Sequence, residues 1–303
     1  RKLKVTKVNI VAHSMGGCLA KHYATILKGH KKIEKLVMLA APLRGSLDAL
    51  KILTMGETWF FDWFTRKGMR KLARTLPGVY DLLPFDAHTS SQGHLDWPAA
   101  AVIDKKGKPV DIFNSNNWQR NVVVQINSAV LQNHLQNTLS YFDSGEDFPN
   151  AFRENVLMVC GTGEATLRRI KITGKGKTLE YDFGSEKAVQ PVGDGVVPAV
   201  STYAKGIYHI AITKKAVGDW ELDLGKIAGF HASICVYDVV QDLTISFLRG
   251  EVNQSVRKLF GWKRIDQFPK ATRAHMKFLD SGEMAPAMNN RKEAFSKGGT
   301  RTG

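Results

Sequence analysis

The chain has 303 residues, 43% of them apolar and 23% charged, the balance of a soluble globular protein with length enough for one large or two modest cores. No run approaches the roughly 18 consecutive apolar residues of a membrane-spanning helix, which leaves a soluble or peripheral protein. The net charge of +15 gathers in clusters at 1–7, 28–35, 66–74, 168–177 and 257–273. None of these clusters comes with a recognisable nucleic-acid module, so nucleic acid is not expected and an anionic membrane surface is the partner they fit.

In chain order, the first element is the one that organises the rest. Val8, Ile10 and Val11 form a short β-branched run that predicts a buried strand, and beyond Gly17 the residues Leu19, Ala20, Tyr23 and Ile26 recur at helical spacing. Between strand and helix lies Ala12-His13-Ser14-Met15-Gly16-Gly17. This is the layout of a nucleophile elbow, G-x-S-x-G, with Ala12 in the first glycine place. Small residues let strand and helix backbones approach closely, and Ser14 is presented at a helix N-terminus, where free N–H groups and the helix dipole favour a developing negative charge. The backbone N–H of Met15 is then a natural oxyanion donor. A serine in such a turn could also be an ordinary helix N-cap, so its partners decide.

The elbow helix is expected to end near Gly29, and the apolar run 35–41 reads as the next parallel strand, completing a βαβ unit. Gly45-Ser46 opens a helix-like stretch to Leu53. Residues 59–64, Trp-Phe-Phe-Asp-Trp-Phe, are the densest aromatic stretch of the chain and read either as packing or as an apolar flap that enters lipid. Residues 74–84 are turn-rich, 86–118 read as a surface excursion, and 122–139 as a helix. The α/β pattern resumes with a buried strand at 155–160, a hairpin around 174–176, Gly193-Asp194-Gly195, a short strand at 208–212, and His231 at the head of an apolar segment reaching Leu248. Four segments follow: α/β core at 1–42, an inserted cap at 43–150, the remaining core at 151–250, and a basic extension at 251–303 that is partly disordered by composition.

A serine hydroxyl attacks only when a base takes its proton and a carboxylate orients that base. Ser14, Asp194 and His231 follow the order serine, acid, histidine that the elbow fold uses, and each sits at a turn. The other histidines fit less well. His13 adjoins the serine and is expected to point away from it, His209 falls in a strand, and His22 and His30 flank the elbow helix. His88, His94 and His134 belong to the cap and His275 to the tail. Asp182, the rival acid, lacks the glycine frame. Cys18, Cys160 and Cys235 lie far apart in apolar segments, without metal-ligand spacing or a disulfide framework, which favours a reducing, intracellular setting. No metal or organic cofactor is expected.

Taken together and in this order, the elbow, Ala41-Pro-Leu-Arg-Gly-Ser46, Leu76-Pro-Gly-Val-Tyr-Asp-Leu-Leu-Pro84, Cys160-Gly-Thr-Gly163, Gly193-Asp194-Gly-Val-Val-Pro198 and His231 resemble the lecithin:cholesterol acyltransferase family, which includes phospholipid:diacylglycerol acyltransferases and related phospholipases. The resemblance spans about residues 5–250. It implies an α/β-hydrolase fold, a parallel central sheet with an inserted cap, in which Ser14 is nucleophile, Asp194 acid and His231 base in the cleavage of lipid acyl esters by hydrolysis or acyl transfer. An intact member has several strands before the elbow, and the loop after an early one carries a second oxyanion donor. The chain opens at Arg1, beside the elbow strand, so an upstream portion is expected. Two other readings stand beside this one: a catalytically weak or inactive membrane-surface module that binds lipid, and a thioesterase or lipid-anchor deacylase using the same three residues.

Overall fold

The computed structural model describes residues 4–57, 66–85, 101–143, 147–174, 178–184, 189–213 and 229–250. The aromatic stretch at 59–64, the segment 86–100 and the extension at 251–303 lie outside the described residues.

Strand β1 (Val8–His13) runs into helix α1 (Met15–Thr25), and a 3-10 turn (Gly29–Lys32) leads back into β2 (Ile33–Leu39). Helix α2 (Leu47–Met55) begins at Ser46, whose Oγ accepts a hydrogen bond of 3.1 Å from Asp48 N, and stops at Gly56, where φ of 76° ends the helix in the left-handed region. Then come α3 (Arg66–Thr75), the single turn α4 (Pro77–Tyr80), β3 (Val102–Ile103), α5 (Arg120–Ile126) and α6 (Ser128–Asp143). The second half supplies β4 (Val156–Thr162), β5 (Glu164–Leu167), β6 (Ile170–Thr173), β7 (Glu180–Asp182), β8 (Val189–Gly193), β9 (Tyr208–Thr213) and α7 (Asp238–Arg249).

The central sheet has the order β1-β2-β4-β9 and every pairing in it is parallel, with Val37 opposite Val11 and Leu157, and Met158 opposite His209. Alternation along β2 divides its side chains between two layers. Val37 and Leu39 join Leu157, Val159 and Ile210 in a core closed by Val240, Leu243 and Phe247 of α7. Leu36 and Met38 face the other way, toward Cys18, Ala20 and Ala24 of α1 and toward Phe148 and Phe152. All seven residues of β4 are buried, as an apolar run covered on both faces requires. This parallel sheet, entered through a strand–turn–helix elbow, is the α/β-hydrolase arrangement.

A second core lies outside the sheet. It gathers Leu50 and Leu53 of α2, Tyr80, Trp118, Leu131 and Leu135, and it also takes Ile170, Ile172, Tyr181 and Phe183 from far along the chain. Strand β6 is its joint, pairing parallel with β3 and antiparallel with β7.

Four local expectations change. Strand β1 is not buried: Val8 is 47% and Val11 50% exposed, because among the described residues β1 pairs only with β2. Residues 101–118 are not a surface excursion, since Val102, Ile112, Phe113 and Trp118 enter the second core. The helix expected over 122–139 is two helices, broken at Asn127 with φ of 77°. The apolar segment after His231 is likewise interrupted at Tyr237, whose extended backbone starts α7.

Candidate active site

The site is assembled at the carboxyl ends of the parallel strands, where loops leave the sheet. Its first part is the elbow. Ser14 holds φ of 52° and ψ of −128°, a conformation rarely adopted by a residue with a Cβ. Backbone bonds hold it there: Ser14 N donates to Leu39 O at 2.8 Å and Gly17 N to Ser14 O at 2.9 Å. The close approach of strand and helix is visible at Gly17, where a Cβ would come within 2.3 Å of the Ala41 Cβ. Although Ser14 occupies the N-cap position of α1, its side chain makes no capping bond. The hydroxyl turns elsewhere.

Ser14 Oγ lies 2.8 Å from His231 Nε2, and His231 Nδ1 lies 2.7 Å from Asp194 Oδ2. With the imidazole neutral and its proton on Nδ1, the chain of bonds runs from serine O–H to Nε2 and from Nδ1–H to the carboxylate. Asp194 is 2% and His231 1% exposed. The second carboxylate oxygen, Asp194 Oδ1, accepts from Val196 N at 3.0 Å and Val197 N at 2.7 Å, so the turn of Gly193-Asp194-Gly195 orients this carboxylate through its own backbone. Gly195 N in turn donates to Thr166 Oγ1 at 2.9 Å, tying that turn to β5. Asp194 and the residue before His231 meet over Gly161 at the end of β4, where a Cβ would lie 2.6 Å from the Asp194 Cβ and 2.7 Å from the Phe230 ring. Met15 N, in the first helical position of α1, has no intrahelical carbonyl to bond and lies beside the serine.

The competing residues have other partners. Asp182 Oδ1 accepts from Gly184 N at 3.2 Å in the second core layer, away from the elbow. His209 Nε2 pairs with Thr202 Oγ1 at 2.8 Å inside the sheet, His30 Nδ1 with Ala24 O at 3.0 Å, and His22 and His134 stack on Tyr141 and Tyr80. His88, His94 and His275 lie outside the described residues. Among the described residues no group of His, Cys, Asp and Glu is arranged to hold a metal, and all three cysteines are free thiols. Burial pushes the thiols of Cys18 and Cys160 up to about 12, which keeps them protonated and inert.

Two neighbours of the site carried no usable signal in the sequence. His13, expected to point away from the serine, reaches the residue that bonds it: its Nε2 lies 2.9 Å from the carbonyl oxygen of His231, with the two rings 5.1 Å apart. Burial, the largest influence on it, holds the His13 imidazole below the usual histidine range. Asp48, at the start of α2, is a buried carboxyl in the field of both Asp194 and His231, and its Oδ2 has no hydrogen-bond partner among the described residues.

A model of the lecithin:cholesterol acyltransferase family matches residues 1–153, from the elbow through α6. No curated protein matches the chain. Among solved structures, a chain from the crystal structure of a Tle4-Tli4 complex aligns over 60% of this chain and 41% of its own, at 14% identity and a TM-score of 0.42. The present chain thus spans about two fifths of the length of the solved chain it aligns with. With half of its length matched, the chain belongs to the lecithin:cholesterol acyltransferase family.

Proposed function

We propose that the chain carries a serine site that cleaves lipid acyl esters through an acyl-enzyme, as a hydrolase or an acyltransferase. The observation that carries this reading is the continuous hydrogen-bonded chain of Ser14, His231 and Asp194, with the serine hydroxyl free of any capping bond. In the proposed cycle His231 Nε2 takes the Ser14 proton as Oγ attacks the ester carbonyl. The charge that forms on the carbonyl oxygen faces the Met15 N–H at the positive end of α1. Collapse of the tetrahedral intermediate expels the alcohol, which receives its proton from His231 and leaves an acyl-Ser14 ester. Water or an acceptor alcohol, deprotonated by the same nitrogen, then releases the acyl group and restores Ser14. Asp194 stays ionised throughout and stabilises the imidazolium.

In this reading residues 43–150 form a cap over a core built from 1–42 and 151–250, and β6 and β7 join the cap's core. The lipid substrate would be met at an anionic membrane surface, which suits the exposed Lys67 and Lys71 of α3 beside an exposed Leu72.

Labelling with a fluorophosphonate, read by intact mass, tests the chemistry, because such probes need an activated serine. One adduct is expected on the wild type and none on Ser14→Ala or His231→Ala. An adduct that survives Ser14→Ala would overturn the assignment. Absence of any adduct on a folded chain that still sediments with lipid vesicles would favour lipid binding without turnover.

A further inference from the structure

Resting on the reading of Ser14 and His231 as nucleophile and base, we propose that His13 is a positioning residue that sets the distance between them by holding the backbone of His231 to the end of β1. Residues 13 and 14 are consecutive, and both reach the same residue, with His13 separated from it by 218 positions along the chain. Ser14 Oγ meets the ring of His231 at 2.8 Å, and His13 Nε2 meets its carbonyl oxygen at 2.9 Å. One contact alone would leave the base free to pivot about the serine. Two contacts from adjacent residues fix both the ring and the peptide that carries it. Asp194 supplies a third constraint at Nδ1 but is itself anchored to the turn at 194–197, not to the strand that carries the nucleophile.

The chemistry of His13 suits this role. It is half-buried, and burial holds its imidazole below the usual histidine range, which favours the neutral ring, with one nitrogen a donor and the other not. A carbonyl oxygen only accepts, so the bond requires the Nε2–H tautomer. The hydrogen bond to the His231 carbonyl and the Asp194 carboxylate favour its charged form and the His231 ring opposes it, each less strongly than burial acts. The strand-end position adds rigidity: β1 pairs with β2 up to His13 opposite Leu39, and Ser14 N bonds the same Leu39 carbonyl. Catalysis is sensitive to such spacing, since a displacement of about 1 Å between reacting groups can cost on the order of a hundredfold in rate.

The test separates the donor from mere bulk. His13→Gln places an amide N–H where Nε2 was, His13→Met keeps the length without a donor, and His13→Asn keeps the amide but falls one methylene short. Fluorophosphonate inactivation gives a maximal rate and a half-saturating probe concentration for each variant with a cooperative melt. The glutamine variant should label within about threefold of wild type, and the methionine and asparagine variants about 10- to 100-fold more slowly in maximal rate with half-saturation unchanged. Equal rates for the glutamine and methionine variants, fast or slow, would overturn the proposal. In the unsubstituted protein, nitrogen NMR provides an independent measurement: His13 should be the neutral Nε2–H tautomer, and an Nδ1–H tautomer would sink the proposal. Failure of the underlying reading looks different, because the wild type would then carry no adduct that depends on Ser14 and His231.

Discussion

Ser14 holds a backbone conformation at the tip of the elbow that costs the fold. Its φ of 52° places a side chain in a backbone region natural to glycine, at about 1–3 kcal/mol for a non-glycine residue. Ser14→Gly should therefore raise stability by about 1 kcal/mol, seen as a higher midpoint in thermal or urea unfolding, while removing the proposed nucleophile. Asp48 makes a second case, through its proton. Burial pushes its carboxyl up to about 7, Asp194 adds to the rise, and Lys51, His231 and Ser46 oppose it. In the unfolded chain this proton leaves near 3.8, whereas the fold retains it to about 7. The unfolded state thus binds fewer protons across that interval, and stability falls as pH rises through it. Asp48→Asn is expected to be neutral at about pH 4 and to stabilise by roughly 4 kcal/mol at about pH 8, measured by denaturant unfolding at the two pH values. The three residues that meet at the site were legible in the sequence because turn chemistry marks them locally: small residues around Ser14, glycines around Asp194, a glycine before Phe230 and His231. His13 was not, because its partner is defined only by the fold.

At the scale of elements, α3 is the clearest amphipathic case. Ala73 and Arg74 are buried, and the Arg74 guanidinium anchors the helix by donating to Leu53 O at 2.7 Å and Asn121 O at 3.2 Å, bridging α2 and α5. Tyr80 O–H donates to Arg74 O at 3.0 Å, closing the turn-rich segment that follows. The exposed residues of the helix include Lys67 and Lys71, with Leu72 51% exposed. If these residues meet anionic lipid, the double substitution Lys67→Glu and Lys71→Glu should weaken sedimentation with phosphatidylserine vesicles by about tenfold or more, at roughly 1 kcal/mol for each basic residue removed. Binding to neutral vesicles should be little changed. Equal loss on both vesicle types would point instead to damage to the fold. Helix limits were the least legible feature of the sequence. Apolar spacing runs on across Asn127, so a periodic reading continues the helix, while the backbone there reverses sign of φ and Asn127 Oδ1 accepts from Ala129 N at 2.9 Å to start α6 afresh.

For the whole molecule, the second core is the feature that joins distant parts of the chain. Ile170 is fully buried in it and lies opposite Val102 across the β3–β6 pairing. Ile170→Ala should destabilise the protein by about 2–5 kcal/mol and lower the melting midpoint, since it opens a cavity where two separate segments meet. If the two cores fold as one unit, the melt stays a single transition; a new early transition in this variant would show that the second core unfolds by itself. Its link to function is indirect: α2, which packs in this core, starts at Ser46, whose Oγ donates to Val196 O at 2.6 Å, next to the turn that holds Asp194.

By itself the sequence determined the parallel α/β class, the elbow with Ser14 at its tip, the family and the order of the three site residues, because these are written in local apolar runs, turn residues and short motifs. Only the tertiary structure decided what depends on pairing across large sequence separations. Among the described residues β1 pairs on one side only and is left exposed, β6 and β7 belong to the second core because β6 pairs with β3, and His13 bonds His231 because β1 ends beside the helical turn at 229–233. The physical reason is the same in each case: burial and hydrogen bonding are set by which surfaces the folded chain brings together, and a residue's neighbours in sequence carry no record of that.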